Sequence, residues 1–322
     1  MVIGGKSEKN GKIEGDTIMA KQRVRFSKST HAIIIVLALL ITISGAFFTG
    51  QFKALFGEKI PGDALQVHII DVGNADAIYV TQGGKNMLID AGVKAAESTI
   101  SEYLRAQNVK KLDIVIATHA DADHIGGMVS VLNNFEIGTF IMAFMPEEHT
   151  PTSATYERLM ETVDAMDNDG KLTFREAVVG DSLKLGTANL DILGPVGDFN
   201  SNNDQSVVCR VSYGETRFLF MGDAEKDAEN ALLERWADLR ADFIKVGHHG
   251  SNTSSQTAFL DKVQPTYAAI TCGSGNSYGH PKPELLKRLE GVEVLRSDLD
   301  GHIVAISDGR NLTVKTQKKG SS

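Results

Sequence analysis

The sequence predicts an α/β protein in which two β-sheets pack together and helices lie outside them. Two observations carry this. Apolar, strand-like runs occur in both halves of the chain, with helical stretches between them. Most residues able to hold a metal ion, among them Asp90, His119, Asp223 and His248, closely follow such a run. Strand ends on one edge of a sheet are neighbours, so these residues are expected to converge although they are far apart in sequence. No solenoid-type repeat competes with this reading.

Taken in order, residues 1–30 form a basic N-terminus, rich at first in Gly, Lys and Glu and expected to be disordered. Residues 31–49 contain AIIIVLALLITISGAFF at 32–48, seventeen residues without a charge behind Lys21, Arg23, Arg25 and Lys28. That is the pattern of a signal peptide or of a single membrane anchor with positive-inside flanks. Ser44-Gly45-Ala46 is a weak small-residue cleavage signal. The protein is therefore expected to be exported: either held in the cell membrane through residues 32–48 with an extracytoplasmic catalytic domain, or secreted. Residues 50–63 read as a linker ending at Pro61-Gly62, and residues 64–317 as the folded domain.

Residues 64–70 alternate as a first strand and run into Asp71-Val72-Gly73-Asn74-Ala75-Asp76. Residues 77–80 follow as a second strand, Gly83-Gly84 is a hairpin signal, and residues 86–89 form a third strand closing on Asp90-Ala91-Gly92. Glycine at such turns permits positive φ or close backbone approach. Residues 94–107 read as an amphipathic helix, 112–117 as a buried strand, 124–134 as a helix and 137–144 as a strand. Thr150-Pro151 opens another helix, punctuated near 167–170. A brief strand at 190–193, an Asn-rich loop at 199–205, and strands at 206–211 and 217–221 lead to Gly222-Asp223. A helix at 224–236 and a strand at 241–246 lead into Gly247-His248-His249-Gly250-Ser251. A helix at 255–263, a strand at 267–271, the loop to Tyr278-Gly279-His280-Pro281, a helix at 283–290 and strands near 292–297, 302–307 and 312–316 complete the chain.

The formal net charge of −8 is unevenly spread. Residues 1–60 carry nine Lys/Arg against four Asp/Glu, so the remainder carries −13. Such a domain is not expected to offer a broad polyanion-binding surface. Cleavage of a phosphodiester is still open to it, because bound divalent ions invert the local field. Cys209 and Cys272, the two cysteines, lie in or beside apolar runs and read as buried free thiols rather than a disulfide framework.

The chemistry centres on Thr118-His119-Ala120-Asp121-Ala122-Asp123-His124-Ile125-Gly126-Gly127. Four potential metal ligands fall within six residues, on a loop between a strand and a helix, where α/β proteins place chemistry. Asp90, Asp223, His248, His249 and His280 are further strand-end candidates. A site for two divalent ions needs about six to eight protein ligands, with positions left for water and substrate. His68 sits mid-strand and reads as an ordinary sheet histidine; His31, His149 and His302 have no partner motif.

Together, residues 71–77, Leu88-Ile89-Asp90-Ala91-Gly92, 118–127, Gly222-Asp223, 245–251 and 278–281 resemble the metallo-β-lactamase superfamily. More narrowly, they resemble the hydrolase domain of ComEC-type competence (DNA-uptake) proteins and their secreted single-domain relatives. The resemblance covers about residues 64–309 and implies an αββα sandwich of two mixed β-sheets flanked by helices, with a dinuclear site at one edge. It implies that His119 and Asp121 ligate a first ion, Asp123 and His124 a second, that Asp223 bridges them and His248 completes the second. Asp90 would orient a histidine from outside the ligand set, and Asp123 and Asp90 count with His280 as catalytic. The usual second histidine of the motif is Asp121 here, and a histidine usual before the bridging Asp is absent, with Asn202 or Asn203 in that region. Carboxylate and amide oxygens are harder ligands than imidazole, so the first site is expected to be weaker for Zn2+ and more open to Mn2+. Of His248, His249 and His280 only one need be a ligand. His248 is taken as that ligand and His280 as the general acid. His249 is left to a loop hydrogen bond or, with Ser251 and Asn203, to substrate contact.

The expected function is a metal-dependent hydrolase of phosphodiesterase or nuclease type, acting on DNA or an envelope polymer with a metal-activated water. Residues 32–48 are the only long apolar segment, so the membrane channel of the competence proteins is not expected in this chain. A small phosphorylated or phosphocholine-type envelope ester is the alternative substrate, and β-lactam hydrolysis a weaker one. A non-catalytic binding module on the same fold is the rival from another class.

Overall fold

The structure, a computed structural model, describes residues 62–145 and 150–318. The basic N-terminus, the apolar segment at 31–49, almost all of the linker at 50–63, and His149 lie outside the described residues. Among those described, no helix is long and apolar enough to cross a membrane.

The first half builds β1 (Leu65–Ile69), β2 (Ile78–Gln82) and β3 (Lys85–Ile89), then helix α1 (Glu97–Ala106) and β4 (Lys111–Ala117). Two short helices follow, α2 (Ala122–Ile125) and α3 (Met128–Asn134), then β5 (Glu136–Met142), α4 (Ala154–Asn168) and β6 (Thr173–Glu176). The second half contributes β7 (Ser182–Leu185), β8 (Ala188–Ile192), β9 (Cys209–Tyr213), β10 (Thr216–Phe220), α5 (Lys226–Arg235), β11 (Phe243–Lys245) and α6 (Thr257–Val263). The chain closes with β12 (Tyr267–Ile270), α7 (Pro283–Arg288), β13 (Glu293–Arg296), α8 (Ser297–Asp300), β14 (Ile303–Ser307) and β15 (Leu312–Thr316).

These strands form two mixed sheets, one of eight strands in the order β15-β14-β1-β2-β3-β4-β5-β6 and one of seven in the order β13-β12-β11-β10-β9-β8-β7. Side-chain alternation divides the core. Phe218 and Phe220 of β10 and Phe243 of β11 join Val67, Val80, Met87 and Ile116 in one buried cluster. Leu219 and Ile244, one residue out of phase, pack with Leu232, Phe259 and Leu285 of α5, α6 and α7. The second sheet is thus buried on both faces, which is why its parallel strands read as continuous apolar runs. Over the first sheet, α1 buries Ile100, Tyr103 and Leu104, an i, i+3, i+4 stripe.

Each sheet has a parallel half. β3, β4, β5 and β6 run parallel, as do β10, β11, β12 and β13. Their C-terminal ends are where open α/β sheets place ligands. Three of the differences from the sequence expectation bear on the sheets and the turn at the site. The helix expected at 124–134 is split at Gly126-Gly127, because this turn presses on backbone: a Cβ on Gly126 would lie 2.4 Å from the Ala122 oxygen, and one on Gly127 2.3 Å from the Ala91 oxygen. The strand expected at 206–211 pairs instead at 209–213, with Ser206, Val207 and Val208 as a buried connector. β6 and β7 were not expected; both are four-residue edge strands, and every residue of β6 is exposed. His68 is buried in β1 with its Nδ1 2.8 Å from the Tyr103 hydroxyl, the ordinary sheet histidine the sequence suggests.

Candidate metal centre

Five strand ends build the centre: Asp90 follows β3, Thr118 to His124 follow β4, Asp223 follows β10, His248 and His249 follow β11, and Thr271 follows β12. The backbone is forced into the left-handed region at several of these points, with φ of 57° at Asp90, 46° at His248 and 50° at His249. Non-glycine residues held there cost of order 1–3 kcal/mol each, and such strain concentrates at working sites. Gly222 brings the two sheets together: a Cβ there would lie 2.9 Å from that of Thr118.

The Asp90 carboxylate is fully buried and saturated. It accepts the Thr118 N–H at 2.8 Å, the Thr118 hydroxyl at 2.7 Å and the His124 Nδ1–H at 2.7 Å. With Nδ1 of His124 engaged by Asp90, its Nε2 points into the cluster, 3.2 Å from Asp223 Oδ1; burial would lower this imidazole, but Asp223 and Asp90 raise it well above its usual value. His249 is fixed in the same sense. Its Nδ1 lies 2.9 Å from the Thr271 carbonyl oxygen, which can only accept, so Nε2 faces inward, 3.3 Å from Asp123 Oδ2 and 3.5 Å from Asp223 Oδ2. His119 Nδ1 has the Thr118 hydroxyl at 3.1 Å and the Ser206 hydroxyl at 3.4 Å, and its Nε2 lies 3.8 Å from Asp121 Oδ2.

Four buried atoms in this cluster lack a hydrogen-bond partner among the described residues: Nε2 of His119, His124 and His249, and Oδ1 of Asp223. Leaving a buried polar atom unsatisfied costs about 1–3 kcal/mol. Four together, each offering a lone pair once the imidazoles have lost their extra proton, fit a set of ligands to divalent cations. Donor atoms fall within 4.8 Å of one another in the sets His119–His124–Asp223 and Asp123–His124–His249. Burial alone would raise the Asp223 carboxyl, but His249 and His124 hold it well below the usual carboxylate range. Burial, helped by His124, pushes His119 down to about 4. Burial would lower His249 too, yet Asp223, Asp123 and Asp76 lift it to about 9.

Of the residues expected to be ligands, the structure brings together His119, Asp123, His124 and Asp223. Asp121 stands at the rim, its side chain 44% exposed and held by Asn202 Nδ2 at 3.2 Å. His248 also lies at the mouth: its Nδ1 is 2.6 Å from Glu225 Oε1 and its Nε2 3.9 Å from Asp223 Oδ2. His249, expected to meet substrate or its own loop, is the member of the His248–His249 pair that is buried in the cluster. His280 stands beside His248, ring centroids 5.6 Å apart, and burial and His248 push it down to about 4. Asn203 Nδ2 is 3.4 Å from His248 Nδ1, and the Ser251 hydroxyl is engaged by Thr253 Oγ1 at 2.7 Å.

Sequence reading gave no role to Glu225, Thr271, Asp76 or Lys245. The last two form a fully buried ion pair, Lys245 Nζ to Asp76 Oδ2 at 2.7 Å. A lysine inside an apolar strand end, and a second Asp closing the turn at 71–76, were the available signals.

Residues 70–273 match the Metallo-beta-lactamase superfamily. ComE operon protein 3 of Bacillus subtilis is 30% identical over 260 residues, covering 74% of this chain and 32% of that protein. Competence protein ComA of Neisseria gonorrhoeae is 30% identical over 249 residues, 76% of this chain and 32% of that protein. The chain therefore spans about a third of the length of these curated relatives. Among solved structures, CmlA, a diiron beta-hydroxylase from Streptomyces venezuelae, aligns with a TM-score of 0.50 at 14% identity, over 74% of this chain and 53% of that one. At that identity it shows a shared fold and nothing about chemistry.

Proposed function

Because the chain belongs to the metallo-beta-lactamase superfamily, on its ComEC-like branch, we propose that it is a two-metal hydrolase of phosphodiesters. The observation that carries the reading is the convergence of three buried histidine Nε2 atoms and Oδ1 of Asp223, four atoms without a hydrogen-bond partner among the described residues, two of the rings pinned through Nδ1. In this reading His119 and Asp121 would hold one ion and Asp123, His124 and His249 the other, with Asp223 within reach of both sets. Divalent zinc or manganese would polarise the phosphoryl oxygens and acidify an attacking water.

The chain's own residues do the rest. Asp90 keeps His124 oriented. Asp123, one-third exposed beside His249, faces the side from which substrate enters. His248, anchored on Glu225 at the mouth, is placed to hand a proton to the leaving oxygen. Tyr278, 63% exposed and stacked on His280 with ring centroids 5.7 Å apart, offers a planar face beside it.

One observation favours the smaller substrate, an envelope phosphate ester, over long DNA: the −13 carried outside residues 1–60. Export rests on residues 32–48 alone. The test is hydrolysis of bis-p-nitrophenyl phosphate by the purified protein with Zn2+ or Mn2+, followed by single-stranded DNA, choline phosphate esters and nitrocefin. Metal-dependent turnover that falls at least 100-fold in His119→Ala and Asp223→Ala supports the proposal. A protein inert on every substrate with both metals overturns it and favours the non-catalytic alternative.

A further inference from the structure

The Asp76–Lys245 pair has no evident reason to be buried unless it serves something beside it. Both side chains are fully enclosed, and a buried ion pair is generally no more stable than a well-packed apolar pair of the same volume. Its surroundings are the cluster of candidate ligands. Asp76 Oδ2 meets Lys245 Nζ, which also donates to the Val246 carbonyl oxygen at 2.8 Å. Asp76 Oδ1 accepts the Thr271 hydroxyl and lies 3.4 Å from His249 Nδ1. The Thr271 carbonyl oxygen accepts from that same nitrogen. The Asp76 backbone is also tied to the site: its N–H donates to the Asp123 carbonyl at 3.1 Å, and its carbonyl accepts the Gly92 N–H at 2.7 Å.

We infer that Asp76, backed by Lys245 and acting through Thr271, is a positioning residue for His249, as Asp90 is for His124. Both carboxylates come from the segment linking β1 to β4, and each stands behind a histidine whose Nε2 faces the cluster. Asp90 lies within the first sheet and binds His124 directly. Asp76 reaches across to the second sheet, where Lys245 ends β11 and Thr271 follows β12. Lys245 neutralises the charge that Asp76 brings into the interior, so Asp76 can face His249 without an unpaired buried carboxylate. Carboxylates behind ligating histidines typically change ion affinity 10–100-fold.

The inference rests on His249 being an ion ligand, and its test keeps the two claims apart. Zn2+ and Mn2+ are titrated calorimetrically into the metal-free full chain. His249→Ala identifies the binding step that depends on His249; if that variant binds as wild type does, the ligand assignment itself is wrong. In Asp76→Asn/Lys245→Met, which removes both charges together, the same step should weaken 10–100-fold and the other step stay within threefold. Combined with His249→Ala, the pair change should add nothing further to that step. Thr271→Val cuts the hydroxyl link and leaves the ion pair intact, so it carries the test if the double variant fails to fold; it too should weaken that step at least tenfold. Wild-type affinity in a folded charge-pair variant, or in Thr271→Val when that variant alone folds, overturns the inference, as does equal loss at both steps.

Discussion

His248 and His249 are adjacent, yet their ring nitrogens meet different partners. Both have left-handed backbone, so consecutive side chains are turned to different sides: His249 into the cluster, His248 toward Glu225 at the mouth. Exchange sensitivity at these two positions should therefore differ. His249→Ala is expected to lower the affinity for one ion at least 100-fold, measured by calorimetric titration. His248→Ala is expected to keep both ions within about threefold while lowering kcat on bis-p-nitrophenyl phosphate at least tenfold. The reverse pattern would exchange the two roles. Asp90→Asn should weaken ion binding about 10–100-fold, since the amide cannot accept from His124 and both Thr118 donors as a carboxylate does. At this scale the sequence was readable where ligands lie close together: His119, Asp123 and His124 share one loop. It was unreadable where a choice depended on φ, as at His248 and His249, or on a partner across the two sheets, as at Asp76 and Lys245.

Among the elements, parallel strands were legible because burial on both faces leaves apolar runs in them, as at residues 114–117 of β4 and 218–220 of β10. The edge strands β6 and β7 were not, since an exposed four-residue strand such as Thr173–Glu176 carries no apolar pattern. The break between α2 and α3 was missed because a Gly-Gly pair within a helical pattern does not disclose what presses on it. Gly127→Ala tests that contact. With the Ala91 oxygen 2.3 Å from the added Cβ, the turn must move, and a loss of about 1–3 kcal/mol is expected in urea denaturation. Stability near that of wild type would mean that the turn has room. Helix α1 and strand β1 also enclose a neutral imidazole pair. Burial, with His302 nearby, pushes His68 down to about 3, and burial pushes His302 down to about 4 despite Asp71. Below pH ~6.5 the unfolded chain binds these protons and the folded chain does not, so each group costs stability as the pH falls, by up to about 1.4 kcal/mol per pH unit. His302→Asn, whose amide oxygen can still accept the Asp71 N–H, should gain stability relative to wild type between pH 6.5 and pH 4.5. A difference that does not change with pH would show that His302 titrates as it does in water.

For the whole molecule, the two-sheet sandwich was legible from strand runs in both halves, and the converging edge from their polar ends. The centre lies where the parallel halves of both sheets end, so it needs the sheets packed in register and is absent from either half alone. Because donor atoms from both sheets meet there, ion binding would couple to folding: saturation at about 100 times the dissociation constant would add about 2.7 kcal/mol. Removal of the ions with a chelator is expected to lower the Tm without dissolving the fold, whose inter-sheet core of Val67, Met87, Phe218 and Phe243 does not involve them. The most direct test of the two-metal claim is the metal-to-protein ratio of the full chain after equilibration with Zn2+ or Mn2+ and removal of free ion. Two ions per chain are expected, falling to one or none in Asp223→Ala. A wild-type protein that retains neither metal would contradict the assignment of this edge as a hydrolytic centre.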